Sequence, residues 1–253
     1  MLKTRVMPCL LLKEEALVKT TRFKTPKYVG DAINTVRIFN QMEVDELIFL
    51  DISASLEKRR PNFNLLKDIA DECFMPFSYG GGVRTIKDIH EILKIGVEKV
   101  VINSYALENP EFIRNSADQF GSQSIVVSID VKRNFWGKYE IRGNSGKNKI
   151  PVDITNYVQQ IEKLGAGEIM INSIDRDGTW AGYDIELLKI ITSITEVPIV
   201  ACGGAGKLQD FEKAVKEGGV SAVAAGSLFV YQGKDLGVLI NSPDPKELEK
   251  LLA

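Results

Sequence analysis

Short apolar runs recur along the chain at nearly even intervals. Each is followed by a stretch in which apolar residues return every three or four positions. The runs cover 5–12 (RVMPCLLL), 47–52 (LIFLDI), 75–79 (MPFSY), 98–103 (EKVVIN), 124–131 (SIVVSIDV), 168–173 (EIMINS), 197–202 (VPIVAC) and 220–225 (VSAVAA). Unbroken apolar character over so short a span predicts strands covered on both faces, as in a parallel sheet. The amphipathic stretches predict helices near 31–43, 59–73, 85–95, 109–118, 152–164, 182–192, 207–217 and 245–252. Eight such strand–helix units in 253 residues predict an α/β chain folded as one (β/α)8 TIM barrel over 1–253. A doubly wound open sheet shows the same alternation, but an internal repeat argues against it.

The two halves of the chain resemble each other. The segment 76–106 (PFSYGGGVRTIKDIHEILKIGVEKVVINSYA) parallels 198–229 (PIVACGGAGKLQDFEKAVKEGGVSAVAAGSLF). Gly81-Gly82 falls on Gly203-Gly204, Asp88 on Asp210, and Ser104 on Ser227 after one inserted residue. The first strand repeats too. Pro8-Cys9-Leu10-Leu11-Leu12-Lys13 matches Val127-Ser128-Ile129-Asp130-Val131-Lys132, so Leu11 stands where its copy has Asp130. A closed barrel of two like halves accounts for both matches.

Two segments break the pattern. The stretch 13–30 carries Lys13, Lys19, Arg22, Lys24 and Lys27. It reads either as a solvated loop or as a flap over an anionic ligand. The stretch 133–153 is a long loop after the fifth strand, and FWGKYEI within it suggests a small hairpin turning at Gly137. Loops that follow strands gather at the C-terminal face, where barrel active sites lie.

Charge and composition narrow the chemistry. The formal net charge is -2, which offers no basic field for a nucleic acid. No run approaches the ~20 apolar residues of a membrane span. The N-terminal segment lacks the long apolar core of a secretory signal. Cys9, Cys73 and Cys202 are scattered without a CxxC and read as reduced thiols of a cytoplasmic protein. The single histidine, His90, sits on the solvent side of a predicted helix. Histidine triads and histidine-rich zinc sites are therefore set aside, and no metal or cofactor is expected.

Each repeated glycine pair follows a strand and precedes a helix. Glycine lets the backbone approach a phosphate closely, and the helix start offers free N–H groups. The next strand ends in Asn103-Ser104 in one half and Gly226-Ser227 in the other. Together these predict one phosphate cradle per half, and hence a long ligand with a phosphate at each end. Carboxylates supply the rest. Asp130 ends the fifth strand and Asp51 the second, while SIDRDGT after the sixth carries Asp175, Asp177 and Gly178. Asp130 reads as a proton-transfer group. Asp51 and Asp175 serve equally well as loop caps or ion-pair partners.

KTRVMPCL, DELIFLDISAS-EKRR, GGGV, KVVIN, ENP, FGSQSIVVSIDVKR, GAGEIMINSIDRDGT-GYD and GGAGK together resemble the cyclase subunit of imidazole glycerol phosphate synthase, over nearly the whole chain. The resemblance implies a half-barrel repeat and a glutaminase partner on the N-terminal face. It implies ammonia passing through the barrel, and a bisphosphate substrate at the C-terminal face held by groups such as Lys19, Asp51, Asp177 and Gly178 and by the two cradles. It also implies two aspartates as general acid and base, at the ends of strands one and five. The second is Asp130; the first is Leu11, which cannot transfer a proton. Glu14, Glu15 or Asp177 is left as a substitute. At the other face the resemblance implies a charged ring that gates ammonia, here Arg5, Glu46, Lys99 and Glu168, with Glu98 placed to meet the partner. Divergent members of this family are associated with converting N-acetyl to acetamidino groups on bacterial surface-polysaccharide sugars, alongside a glutaminase and a sugar amidotransferase. The expectation is a member of that kind. A working cyclase, a scaffold that only activates its glutaminase, and another sugar-phosphate isomerase barrel are the alternatives.

Overall fold

A computed structural model describes residues 4–235 and 237–252. In chain order its strands are β1 (Arg5–Lys13), β2 (Ala16–Thr21), β3 (Lys24–Asp31), β4 (Leu47–Asp51), β5 (Phe77–Gly80), β6 (Lys99–Ile102), β7 (Ile125–Arg133), β8 (Tyr139–Gly143), β9 (Asn148–Lys149), β10 (Glu168–Ser173), β11 (Ile199–Cys202) and β12 (Ala222–Ala225). Eight of them, β1, β4, β5, β6, β7, β10, β11 and β12, run parallel and close into a barrel. Each pairs with the next in this order, and β12 returns to β1. The closed (β/α)8 fold expected from the alternation is the one present, and its strands match the predicted runs to within about two residues at most ends.

The helices follow their strands and lie outside: α1 (Ala32–Met42), α2 (Phe63–Glu72), α3 (Ile86–Ile95), α4 (Ser104–Glu108), α5 (Glu111–Phe120), α6 (Ile154–Lys163), α7 (Ile185–Thr192), α8 (Leu208–Lys216), α9 (Ser227–Val230) and α10 (Pro245–Leu252). No described helix is long and apolar enough to cross a membrane. The helix ends are chemically marked. Asp88 accepts from Arg84 N and Thr85 N, and Asp210 accepts from Gly206 N and Lys207 N. The repeated aspartate is thus a helix cap, satisfying orphan N–H groups in both halves.

Although the strands read as unbroken apolar runs, their side chains divide strictly by period two. Leu10, Leu12, Phe49, Val127, Ile129, Ile169, Ile171 and Val223 face the helices in one large core. Met7, Cys9, Ile48, Val101, Val126, Met170, Val200, Cys202, Ala222 and Ala224 form a separate cluster inside the barrel. The interior is therefore an apolar column between two polar ends.

The segment 13–30 is neither a loop nor a loose flap. β1 runs past the barrel rim and pairs with β2, which pairs with β3. The β2–β3 turn has Arg22 and Phe23 at φ 52° and 59°, the left-handed values a tight two-residue hairpin needs. Neither residue is the glycine or asparagine that usually announces such a turn, so the pattern stays silent. The second half does the same. β7 runs on into β8, turning at Gly137 as expected, and β8 pairs with β9. The internal repeat thus includes a hairpin rising from the first strand of each half.

Candidate functional site

The C-terminal mouth of the barrel opens between the two hairpins. Asp130 points into it, 7% exposed. In register beside it on the next strand stands Asn172. The Asn172 and Asn103 side chains lie near the Asp130 carboxyl group and favour its charged form, and Asn103 Nδ2 donates to Ser128 O at 3.0 Å. Burial pushes the Asp130 carboxyl up to about 7; the two amides pull it down without compensating, and the nearby Asp177 charge adds to the rise. Such a group holds or releases a proton near neutral pH. It lines a cavity of about 270 Å³ that also contains Leu11, Leu50, Val101, Gly81, Gly82, Asn103 and Ser104. Leu11, at the position of Asp130 in the repeat, faces the same cavity with a side chain that neither donates nor accepts.

The other mouth carboxylates are all engaged. Asp51 accepts from Arg59 Nη1 at 2.8 Å and Nη2 at 3.0 Å, and from Ser53 N and Ala54 N. It fixes the loop between β4 and α2. Asp175 accepts from Arg133 N at 2.7 Å and so holds the second hairpin. Asp177 takes Lys19 Nζ at 2.5 Å, Thr20 Oγ1 at 2.8 Å and Phe23 N at 3.1 Å, which ties down the first hairpin. Glu14 and Glu15 lie exposed at the β1–β2 turn, beyond the strand end. They line a different, outer cleft, so they do not stand in for Leu11's missing carboxylate in this arrangement.

The glycine pairs have a structural reason besides any ligand. A Cβ at Gly81 would lie 2.6 Å from Asp51 O, and one at Gly203 would lie 2.8 Å from Ser173 O. In each half the pair allows the chain to cross the end of the preceding strand. The helices begin a few residues later than the pairs, at Ile86 and Leu208. Gly81, Gly82, Asn103 and Ser104 line the larger cavity. Gly203, Gly204, Gly226 and Ser227 line a second space of about 30 Å³, together with Lys19, Asp177 and Gly178.

At the opposite end four charged side chains close the barrel. Arg5 meets Glu46 at 2.5 Å and also Glu168. Lys99 lies 3.3 Å from both carboxylates. Ser78 Oγ donates to Glu46 at 2.7 Å. Burial alone would lower Arg5, but the Glu168 and Glu46 carboxylates outweigh it and hold the guanidinium above its ordinary value. Glu98 is exposed on this rim. Two cations shared by two buried anions make a closed circuit across the lumen. It satisfies the charges far better than separate surface pairs would.

The family model described as histidine biosynthesis protein matches residues 5–235. A Pseudomonas aeruginosa protein provisionally named as an imidazole glycerol phosphate synthase subunit is 50% identical over 249 residues, covering 98% of this chain and 99% of that protein. A provisionally named HisF subunit of Leptospira borgpetersenii is 47% identical over 252 residues, 99% of each chain. The imidazole glycerol phosphate synthase subunit HisF of Alkaliphilus metalliredigens is 42% identical over 231 residues, 91% of this chain and 92% of that one.

The chain belongs to the HisF family of synthase subunits.

Within this HisF-type barrel, sequence reasoning placed Asp130, Leu11 and both cradles at one mouth, and Arg5, Glu46, Lys99 and Glu168 at the other end. It missed Asn172. An asparagine in an apolar strand belongs to no motif; its one signal was period two, which puts it on the same face as Glu168 and Met170. The resemblance alone set Lys19 apart from the other lysines of its segment. The structure buries Lys19 to 7% exposure while Lys24 and Lys27 remain in solvent. His90 is exposed, tilted against the Phe120 ring at 6.4 Å, as its helix position suggested.

Proposed function

We propose that this barrel is the synthase subunit of a glutamine amidotransferase complex. It receives ammonia from a glutaminase docked over the Arg5–Glu46–Lys99–Glu168 ring and passes it along the apolar column to a phosphate-binding mouth. The observation that carries the reading is the contrast at the two ends: a complete ring below, and above it a lone Asp130 faced by Leu11. An apolar column admits neutral ammonia and rejects ammonium, whose charge would lose its hydration. The closed ring must part to pass it, so docking of the glutaminase on this rim, with Glu98 among the contacts, is the natural trigger.

At the mouth Asp130 moves one proton to or from the ligand, while its amide neighbours fix its orientation. A paired acid and base, each typically supplying on the order of 10²–10⁴-fold, is not available. The ammonia therefore goes to an acceptor other than the histidine-pathway bisphosphate. In the finer form of the reading, a sugar amidotransferase uses it to convert an N-acetyl to an acetamidino group on a surface-polysaccharide sugar. Deleting the gene tests this. The polysaccharide should revert to N-acetyl groups by mass spectrometry while growth without histidine is unchanged.

A second reading, a working cyclase of histidine biosynthesis, draws support from the relatives named plainly as imidazole glycerol phosphate synthase subunits, at 42% identity. It predicts the reverse outcome: histidine auxotrophy with an unaltered polysaccharide.

A further inference from the structure

The tip of the second hairpin takes no part in the mouth or the ring. Phe135 and Trp136 stand there 93% and 81% exposed. Their rings meet edge to face, with centroids 5.5 Å apart. One side chain locks the turn beneath them. Asn134 Oδ1 accepts from Trp136 N at 2.9 Å and from Lys138 N at 3.0 Å, and Asn134 Nδ2 donates to Glu140 at 3.0 Å. Backbone bonds from Gly137 N to Asn134 O and from Asn134 N to Lys138 O complete it. Two large apolar rings are thus held in water on a fixed support. Contiguous exposed apolar surface marks a contact site. Aromatics make strong anchors, and pre-ordered ones lose little freedom when a partner covers them.

Position and charge indicate the partner. The hairpin rises from β7, the strand that carries Asp130. Around the same mouth Arg22, Lys24 and Lys27 on the first hairpin and Lys138 and Lys147 on the second are exposed. None of the five has an ion-pair partner among the described residues. A chain of net charge -2 therefore gathers free cations about one opening, and an acidic surface complements them. Ammonia released there into water is protonated at neutral pH and loses its nucleophilic lone pair. An acceptor enzyme that closes over the exit excludes that water. We propose that Phe135 and Trp136 anchor the ammonia-consuming enzyme, which lays an acidic face with an apolar pocket over the mouth. The proposal rests on the reading of the barrel as an ammonia-supplying subunit and names where its consumer binds. An anionic membrane attracts the same groups, but it would cover the exit with no acceptor for the ammonia.

Complementation of a deletion strain tests this. The strain receives the unmodified chain, Phe135→Ser/Trp136→Ser, or Lys24→Glu/Lys27→Glu/Lys138→Glu, and acetamidino groups on its polysaccharide are measured by mass spectrometry. The aromatic variant should lower them roughly tenfold or more, and the charge variant about threefold or more. Glutamine hydrolysis by either purified variant with its glutaminase should be unchanged, showing a folded barrel. With Trp136 replaced by the photo-crosslinker p-benzoylphenylalanine, irradiated cells should link the chain to an enzyme whose own deletion abolishes the same transfer. Full transfer by the aromatic variant would overturn the anchor and leave the ammonia-supplying reading standing. So would crosslinks only to second copies of this chain. Sedimentation with phosphatidylcholine–phosphatidylglycerol vesicles that the aromatic variant loses would overturn it in favour of a membrane. A deletion strain with an unaltered polysaccharide would sink the function reading itself, and the proposal with it.

Discussion

The two ends of this barrel handle buried charge in opposite ways. At the N-terminal end Arg5, Lys99, Glu46 and Glu168 satisfy one another in a closed circuit. At the C-terminal end Asp130 is buried with two amides and no cation, beside a leucine. The first arrangement supports its own existence once formed. The second lowers stability, because folding desolvates a carboxyl group without a compensating charge. A fold keeps such a group where function requires it. Under the proposed function the contrast divides amidotransfer into two stages: a complete charged ring at the end proposed to receive ammonia, and a single carboxyl group at the end proposed to use it.

The largest expected effect comes from blocking the column that joins the ends. Ala224 is fully buried inside it. Ala224→Trp should reduce glutamine-driven nitrogen transfer by roughly 10²-fold, while leaving the reaction driven by ammonium salts nearly intact. Equal loss of both would show that the column is not the route.

Next is the charge at the mouth. Asp130 is raised from 3.8 to about 7 in the folded chain. Between those values the folded state holds a proton the unfolded state has released, so stability falls as pH rises from about 4 to 7. The full penalty is at most about 4 kcal/mol, present above pH 7. Asp130→Asn should therefore be more stable than the parent at pH 8, with the gain shrinking toward pH 4 in paired urea titrations. A variant equally or less stable at pH 8 would mean that Asp130 is not held at a cost.

The ring should respond in the opposite direction. Arg5→Met leaves Glu46 and Glu168 to share Lys99 alone. A loss of roughly 3 kcal/mol is expected from urea unfolding, so the same operation, removing a charge, stabilises one end and destabilises the other. The smallest effect lies on the rim. Glu98→Gln should change stability by less than about 0.5 kcal/mol, yet weaken glutaminase binding measurably in a titration of the complex.

Much of this contrast was legible in the chain itself. The ring was readable through the family resemblance, and its members stand at strand starts, where period two turns them into the lumen. Leu11 was readable because an internal copy supplied the comparison. The hairpins were not, because Arg22 and Phe23 make a tight turn without the usual residues and the lysines around them look like a solvated loop. Apart from the resemblance, only burial distinguishes Lys19 from Lys24 and Lys27, and burial depends on Asp177, distant in sequence. The glycine pairs were legible as a repeat, but close backbone crossings at Asp51 O and Ser173 O explain part of what phosphate binding alone was asked to explain.

The most direct test of the account is a cyclisation assay. The unmodified chain would be given the aminoimidazole carboxamide ribulosyl bisphosphate with excess ammonium salt at alkaline pH, and substrate consumption followed. The account predicts no turnover above the uncatalysed rate. Sustained turnover by the unmodified chain would contradict it, by showing that the mouth performs the histidine-pathway reaction with Leu11 in place.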